Sequence, residues 1–95
     1  MQTYVILRRR GWKDGAELTS TAERSTAVGE EMSEDVRWIR SYVINEPDGA
    51  LGTVCVYQAT SPEAIREHAD RVGMPAHEII GVADLVHVRP DPESA

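Results

Sequence analysis

At 95 residues the chain has room for one hydrophobic core and not for two. Hydrophobic residues make up 41% and charged residues 27%, a globular mixture that excludes disorder. A formal net charge of −6 argues against nucleic acid, which asks for a basic face to neutralise phosphates.

Residues 3–10 (TYVILRRR) predict a first strand, in which Arg8, Arg9 and Arg10 cap the exposed end rather than hold a phosphate. Trp12 to Thr19, with its Asp14-Gly15 turn signal, reads as an irregular loop. Ser20 and Glu23 have the spacing of a capping box, predicting a helix over 21–33 whose inner stripe is Ala22, Ser25, Gly29 and Met32. Residues 36–44 (VRWIRSYVI) predict a second strand, and Pro47-Asp48-Gly49 a turn into a third over 53–59 (TVCVYQA). Ser61-Pro62-Glu63 opens a second helix: Ser caps it, Pro suits its first position, and Glu complements the positive end of the dipole. Ile65, His68, Ala69 and Val72 share one face of that helix, and Gly73 with Pro75 ends it. Ile79 to Val88 supplies a last strand, and 91–95 a flexible tail after a single domain over 1–90.

The order strand, helix, strand, strand, helix, strand is that of a ferredoxin-like α+β fold. It predicts a four-stranded antiparallel sheet with both helices on one face. Strand parity then sorts the side chains. Trp38, Arg40 and Tyr42 fall on one face of the second strand, Ile39, Ser41 and Val43 on the other; Cys55 and Tyr57 oppose Val54 and Val56. The compact aliphatic set is assigned to the helices. Trp38, Arg40, Tyr42, Cys55 and Tyr57, joined by Tyr4, are assigned to the bare face, where so much aromatic surface asks for a partner. The expectation is a homodimer of the dimeric α/β-barrel type through that face. A small-ligand pocket would lie there, with Arg40 as anion clamp and Tyr42 and Tyr57 as hydrogen-bond donors.

The remaining chemistry-bearing residues are few. His68, His77 and His87 form no HxH, HxxxH or HExxH spacing, so a metal site would have to be assembled by the fold, with His68 and His77 as the candidates. Cys55 is the one cysteine, which excludes a disulfide framework and a CxxC pair; in mid-strand it reads as a small buried hydrophobe. Glu30, Glu31, Glu34 and Asp35 read as a solvated helix end. No GxSxG, Walker loop or dinucleotide glycine pattern names an enzyme. Without an apolar signal core in 1–11 or a run long enough to span a bilayer, the chain is expected to be soluble and cytoplasmic.

From Val36 onward the chain resembles a family of small, largely uncharacterised bacterial proteins, one branch of which is described as nickel-binding or nickel-responsive. The residues that carry the resemblance are 36–43 (VRWIRSYV), 55–59 (CVYQA), 61–66 (SPEAIR) and Gly73-Met74-Pro75. It implies a ferredoxin-like fold, commonly dimeric, and a divalent transition metal such as nickel or another small ligand. Related sequences often carry His where Arg40 stands and an acidic residue where Gln58 stands, and neither replacement ligates nickel well. The expectation is therefore a small dimeric ligand- or metal-binding domain. The alternatives are a dimeric α/β-barrel enzyme, in which Arg40, Tyr42, Tyr57 or His68 assists proton transfer on a small hydrophobic substrate, and a purely structural dimerisation module.

Overall fold

The first strand, β1 (Gln2–Trp12), runs through the middle of the sheet in a computed structural model that describes residues 1–93. Helix α1 (Gly15–Glu31) follows, then β2 (Val36–Asn45), β3 (Leu51–Ala59), α2 (Pro62–Val72) and β4 (Glu78–Gly81). The four strands pair antiparallel in the order β2-β3-β1-β4, with the helices together on one face, as the element order predicts. No helix among the described residues is long and apolar enough to cross a membrane.

The second half follows its sequence signals closely. The Ser61 side chain accepts from the Ala64 N–H, Pro62 occupies the first turn of α2, and Gly73 closes it at φ 84°, which only glycine adopts without strain. All four residues of the expected stripe, Ile65, His68, Ala69 and Val72, are buried. In the β2–β3 loop Gly49 takes φ 89° and its N–H donates to the Glu46 carbonyl.

Helix α1 starts earlier than the Ser20 box suggests. Asp14 is the cap: its carboxylate accepts from the Glu17 N–H at 2.9 Å, and Glu17 reaches back to the Lys13 N–H. The expected loop over 12–19 is thus largely helix. The inward residues are Thr21, Ser25 and Met32, with Gly29 and Ala22 half-buried, so the helix meets the sheet through small side chains.

Strand β4 is four residues rather than ten. Its pairing runs from Glu78 to Gly81 opposite Leu7 to Tyr4, and the Val82 N–H donates to the Thr3 carbonyl. Because β1 starts at Gln2, little partner backbone remains, and residues 83–93 leave the ladder. Of the tail expected over 91–95, residues 94 and 95 lie outside the described residues.

Two irregularities interrupt the alternation of side chains. In β2, Trp38 pairs with Tyr57 but Arg40 pairs with Val56, leaving Ile39 as the extra residue of a bulge. Parity reverses there: Val36 and Trp38 point to the helix side before it, Ser41 and Val43 after it. In β1 the register breaks between Arg8 and Trp12, with Arg10 at φ 50°, so that Arg10 is exposed while Trp12 keeps the side of Arg8 and is buried.

The face assignment of the aromatic set is therefore corrected. Tyr4, Cys55 and Tyr57 are buried beneath the helices with Ile6, Ile65, Val36 and Met32. Val54 and Val56, expected inside, stand half-buried on the open face with Val5 and Leu7. Arg40 and Tyr42 do lie on the open face; Trp38 does not. The physical reason is volume. Small residues on α1 leave space above the sheet, and large rings from below occupy part of it.

Candidate functional site

Alternation along β1 sends Tyr4, Ile6 and Arg8 to one side, so Arg8 enters the core with two apolar residues. It is fully buried, at 0% exposure. Its Nε and both Nη atoms are shielded from solvent and have no hydrogen-bond partner among the described residues. The guanidinium carbon stands 5.7 Å from the centre of the Tyr57 ring. The next two arginines are differently placed. Arg9 grips Glu46 with Nε and Nη2, at 2.9 and 2.8 Å, and Arg10 pairs with Asp48. The Arg10 N–H also donates to Glu46, whose pKa is lowered to about 2, chiefly by the Arg9 hydrogen bonds. The run reads as one patch in sequence, but two of its members have acids and the third has none among the described residues.

Tyr57, in the middle of β3, gathers the other polar groups. Its hydroxyl lies 3.5 Å from Ser25 Oγ on α1, its ring meets His68 edge-on at 5.7 Å, and Trp38 stacks at 6.3 Å. Burial pushes the Tyr57 pKa up, with the Ser25 hydrogen bond and the Arg8 charge opposing, so the phenol stays a neutral donor. Beside it runs a relay of weak donors: Trp38 Nε1 donates to Ser41 Oγ at 2.8 Å, and Ser41 donates to Cys55 Sγ at 3.0 Å. On α1, Thr21 accepts from Trp12 Nε1 at 2.9 Å.

Between α1 and the sheet these residues border a cleft of about 500 Å³. Leu18, Trp12, Trp38 and Met74 wall it; Arg8, Tyr57, Thr53 and Ser25 supply its polar groups. It reaches the surface along the β2 edge, where Trp38 is 42% exposed beside exposed Ile39 and Val43.

Of the five candidates from the sequence, Trp38, Cys55 and Tyr57 line this cleft, and Arg40 touches its rim. Arg40 and Tyr42 meet instead across the sheet. There Tyr42 Oη donates to Asp91 at 2.8 Å and Arg40 pairs with the same carboxylate. The Tyr42 and Arg40 hydrogen bonds lower the Asp91 pKa. This contact holds the segment 82–91 over the open face, above a hollow of about 760 Å³ that Val56 and Gln58 also line.

The two histidine candidates stand apart. His68 Nε2 donates to the Ser25 carbonyl at 3.2 Å, its Nδ1 lacks a partner among the described residues, and burial lowers its pKa. His77 Nδ1 accepts from the Arg9 N–H at 2.8 Å. Among the described residues no three His, Cys, Asp or Glu side chains gather closely enough to hold a metal ion. The sequence-based candidates omit Arg8. Its signal is the same period-two alternation, Tyr4-Ile6-Arg8, which marks a charge on a core face.

Residues 4–82 match the family model described as nickel responsive protein SCO4226-like. The chain belongs to the SCO4226-like family. The match takes in β1 and α1 as well as the later elements that carry the resemblance in sequence. The crystal structure of SCO4226 from Streptomyces coelicolor A3(2) is similar, with a TM-score of 0.69 over 88% of this chain and 99% of that one. The two are 21% identical, a likeness of fold. No curated protein matches the chain. Within the SCO4226-like span lie Arg8, Tyr57 and the whole cleft; Asp91 and its segment fall beyond it.

Proposed function

We propose that this member of the SCO4226-like family is a small cytoplasmic ligand-binding domain that takes its ligand in the cleft between α1 and the sheet and works as a homodimer. The observation that carries the binding reading is the cleft itself. Its volume of about 500 Å³ suits a small molecule, its walls are apolar, and a few polar groups converge in it. A packed structural module would have filled that space with side chains.

The homodimer reading rests on the other face. Val5, Leu7, Val54 and Val56 form an aliphatic floor, Tyr42 and Ile80 are exposed at its margins, and Leu85, Val86 and Val88 stand in water beyond them. A second copy on this face would bury apolar surface that a domain of this size cannot cover alone.

The family's name gives responsiveness to nickel, and the ligating groups of this chain do not fit a nickel site within one protomer. His68, His77 and Cys55 are engaged separately with Ser25, Arg9 and Ser41. Arg40 and Gln58 line one hollow, and neither is a nickel ligand. The reading adopted is a ligand other than a resident metal.

A fragment titration followed in ¹⁵N NMR spectra tests the binding reading. Apolar fragments are expected to shift the amides of Thr21, Ser25, Thr53 and Tyr57 together; a library that leaves all four unmoved sinks the cleft as a site. Light scattering tests the dimer, which a monodisperse monomer at micromolar concentration would exclude.

A further inference from the structure

We infer that the cleft's ligand is a small organic monoanion, a carboxylate on a flat apolar body, whose carboxylate is bound by Arg8. The inference rests on the ligand-binding reading above and adds the ligand's charge and shape.

The deciding observation is an arginine at 0% exposure with three unpartnered nitrogens on the edge of a cavity. A guanidinium keeps its charge even when buried, and an uncompensated buried charge is strongly destabilising. Among the described residues no Asp or Glu lines the cleft. The next two arginines along the strand hold acids of their own, Arg9 with Glu46 and Arg10 with Asp48. The described residues supply no counter-charge, and a guanidinium fork matches a carboxylate ligand in plane and spacing.

The surroundings select the rest of the molecule. Tyr57 is held neutral by burial, so it and Ser25 offer hydroxyl donors and not a competing negative charge. One cation with neutral donors balances a single charge, which disfavours a phosphate dianion. Trp12, Trp38, Leu18 and Met74 are suited to a ring or short chain and not to a hydrated inorganic ion. Entry requires α1 to yield slightly, since the Arg8 nitrogens are shielded from solvent. The side chains that α1 buries over the cleft, Thr21 and Ser25, are small and polar.

The test is a matched series on the full chain: phenylacetate, phenylacetamide, acetate and inorganic phosphate, titrated against ¹⁵N-labelled protein. Phenylacetate is expected to shift Thr21, Ser25, Thr53 and Tyr57 and to bind about ten-fold or more tightly than the amide, the margin between a charge-assisted and a neutral hydrogen-bonded pair. Acetate and phosphate are expected to bind weakly. Arg8→Met, which removes the charge at similar volume, is expected to abolish the preference for acid over amide. Equal binding of acid and amide by the wild-type chain would overturn the monoanion and leave a neutral-ligand cleft standing. Phosphate binding as tightly as phenylacetate would also overturn it. If none of the four compounds moves the cleft amides, the monoanion proposal falls, and the fragment titration decides whether the cleft binds anything.

Discussion

The two faces of this sheet are built on opposite plans. Beneath the helices lie large rings and polar atoms: Tyr4, Tyr57, Trp12, Cys55, His68 and the unpaired Arg8. On the open side lie small aliphatics, with Arg40 and Tyr42 tied to Asp91 at the rim. Ordinary packing would reverse this, with aliphatics inside and polar groups in water. The difference teaches that the covered face is not only a core. Its small helix residues and large sheet residues leave a cleft, and polar groups that cost stability converge there.

Truncating a ring on the covered face gives the largest expected contrast. Tyr57→Ala should lower unfolding free energy in urea by about 3–5 kcal/mol, whereas Val56→Ala, next along the strand and facing the other way, should cost about 1 kcal/mol in the monomer. Equal losses would mean that the open face is buried as deeply as the covered one. Gly52→Ala comes next. Its Cβ would stand 2.7 Å from the Arg8 carbonyl and 2.9 Å from Glu46 Oε2, so the clamp on β1 must move, at about 1–3 kcal/mol.

Arg8→Met has the opposite sign. Removing a charge that no described residue neutralises should stabilise the ligand-free protein by about 1–3 kcal/mol in the same assay. A loss of that size would show that Arg8 is satisfied by the fold and has no need of an external anion.

The pH dependence separates the regions more finely. The pKa of His68 is lowered by burial, so folding disfavours its proton; its contribution is complete above about pH 6.5 and drains as pH falls below that. Glu46 follows in a lower window. Its folded pKa of about 2 lies below the ordinary 4.5, so its contribution is whole above 4.5 and is lost as pH drops towards 2. Thermal unfolding between pH 8 and 3 should show both stages, and His68→Gln should remove only the upper one. The smallest effect belongs to the open face: Tyr42→Phe, which loses an exposed hydrogen bond to Asp91, should cost less than about 1 kcal/mol.

How much of this was legible beforehand follows from where the information is local. The caps of α2, its inner stripe and the Pro47-Asp48-Gly49 turn are encoded within a few residues, and the structure has them as read. The ferredoxin-like element order follows from those signals. Which face meets the helices is not local. It depends on a bulge at Ile39 that no residue pattern announces, and on the gap that α1 leaves above the sheet. Parity makes Trp38, Cys55 and Tyr57 neighbours, and the structure keeps them together but on the helix side. Arg8 sat in a basic run that looks solvated until alternation is followed through it, and Asp14 was hidden behind the stronger-looking Ser20 box.

The most direct measurement is a crystal structure of the wild-type chain grown with phenylacetate. The expected result is a carboxylate within hydrogen-bond distance of the Arg8 nitrogens and a ring between Trp12 and Trp38. A closed cleft, with Arg8 turned out to solvent or satisfied by ordered water while phenylacetate is absent, would contradict it.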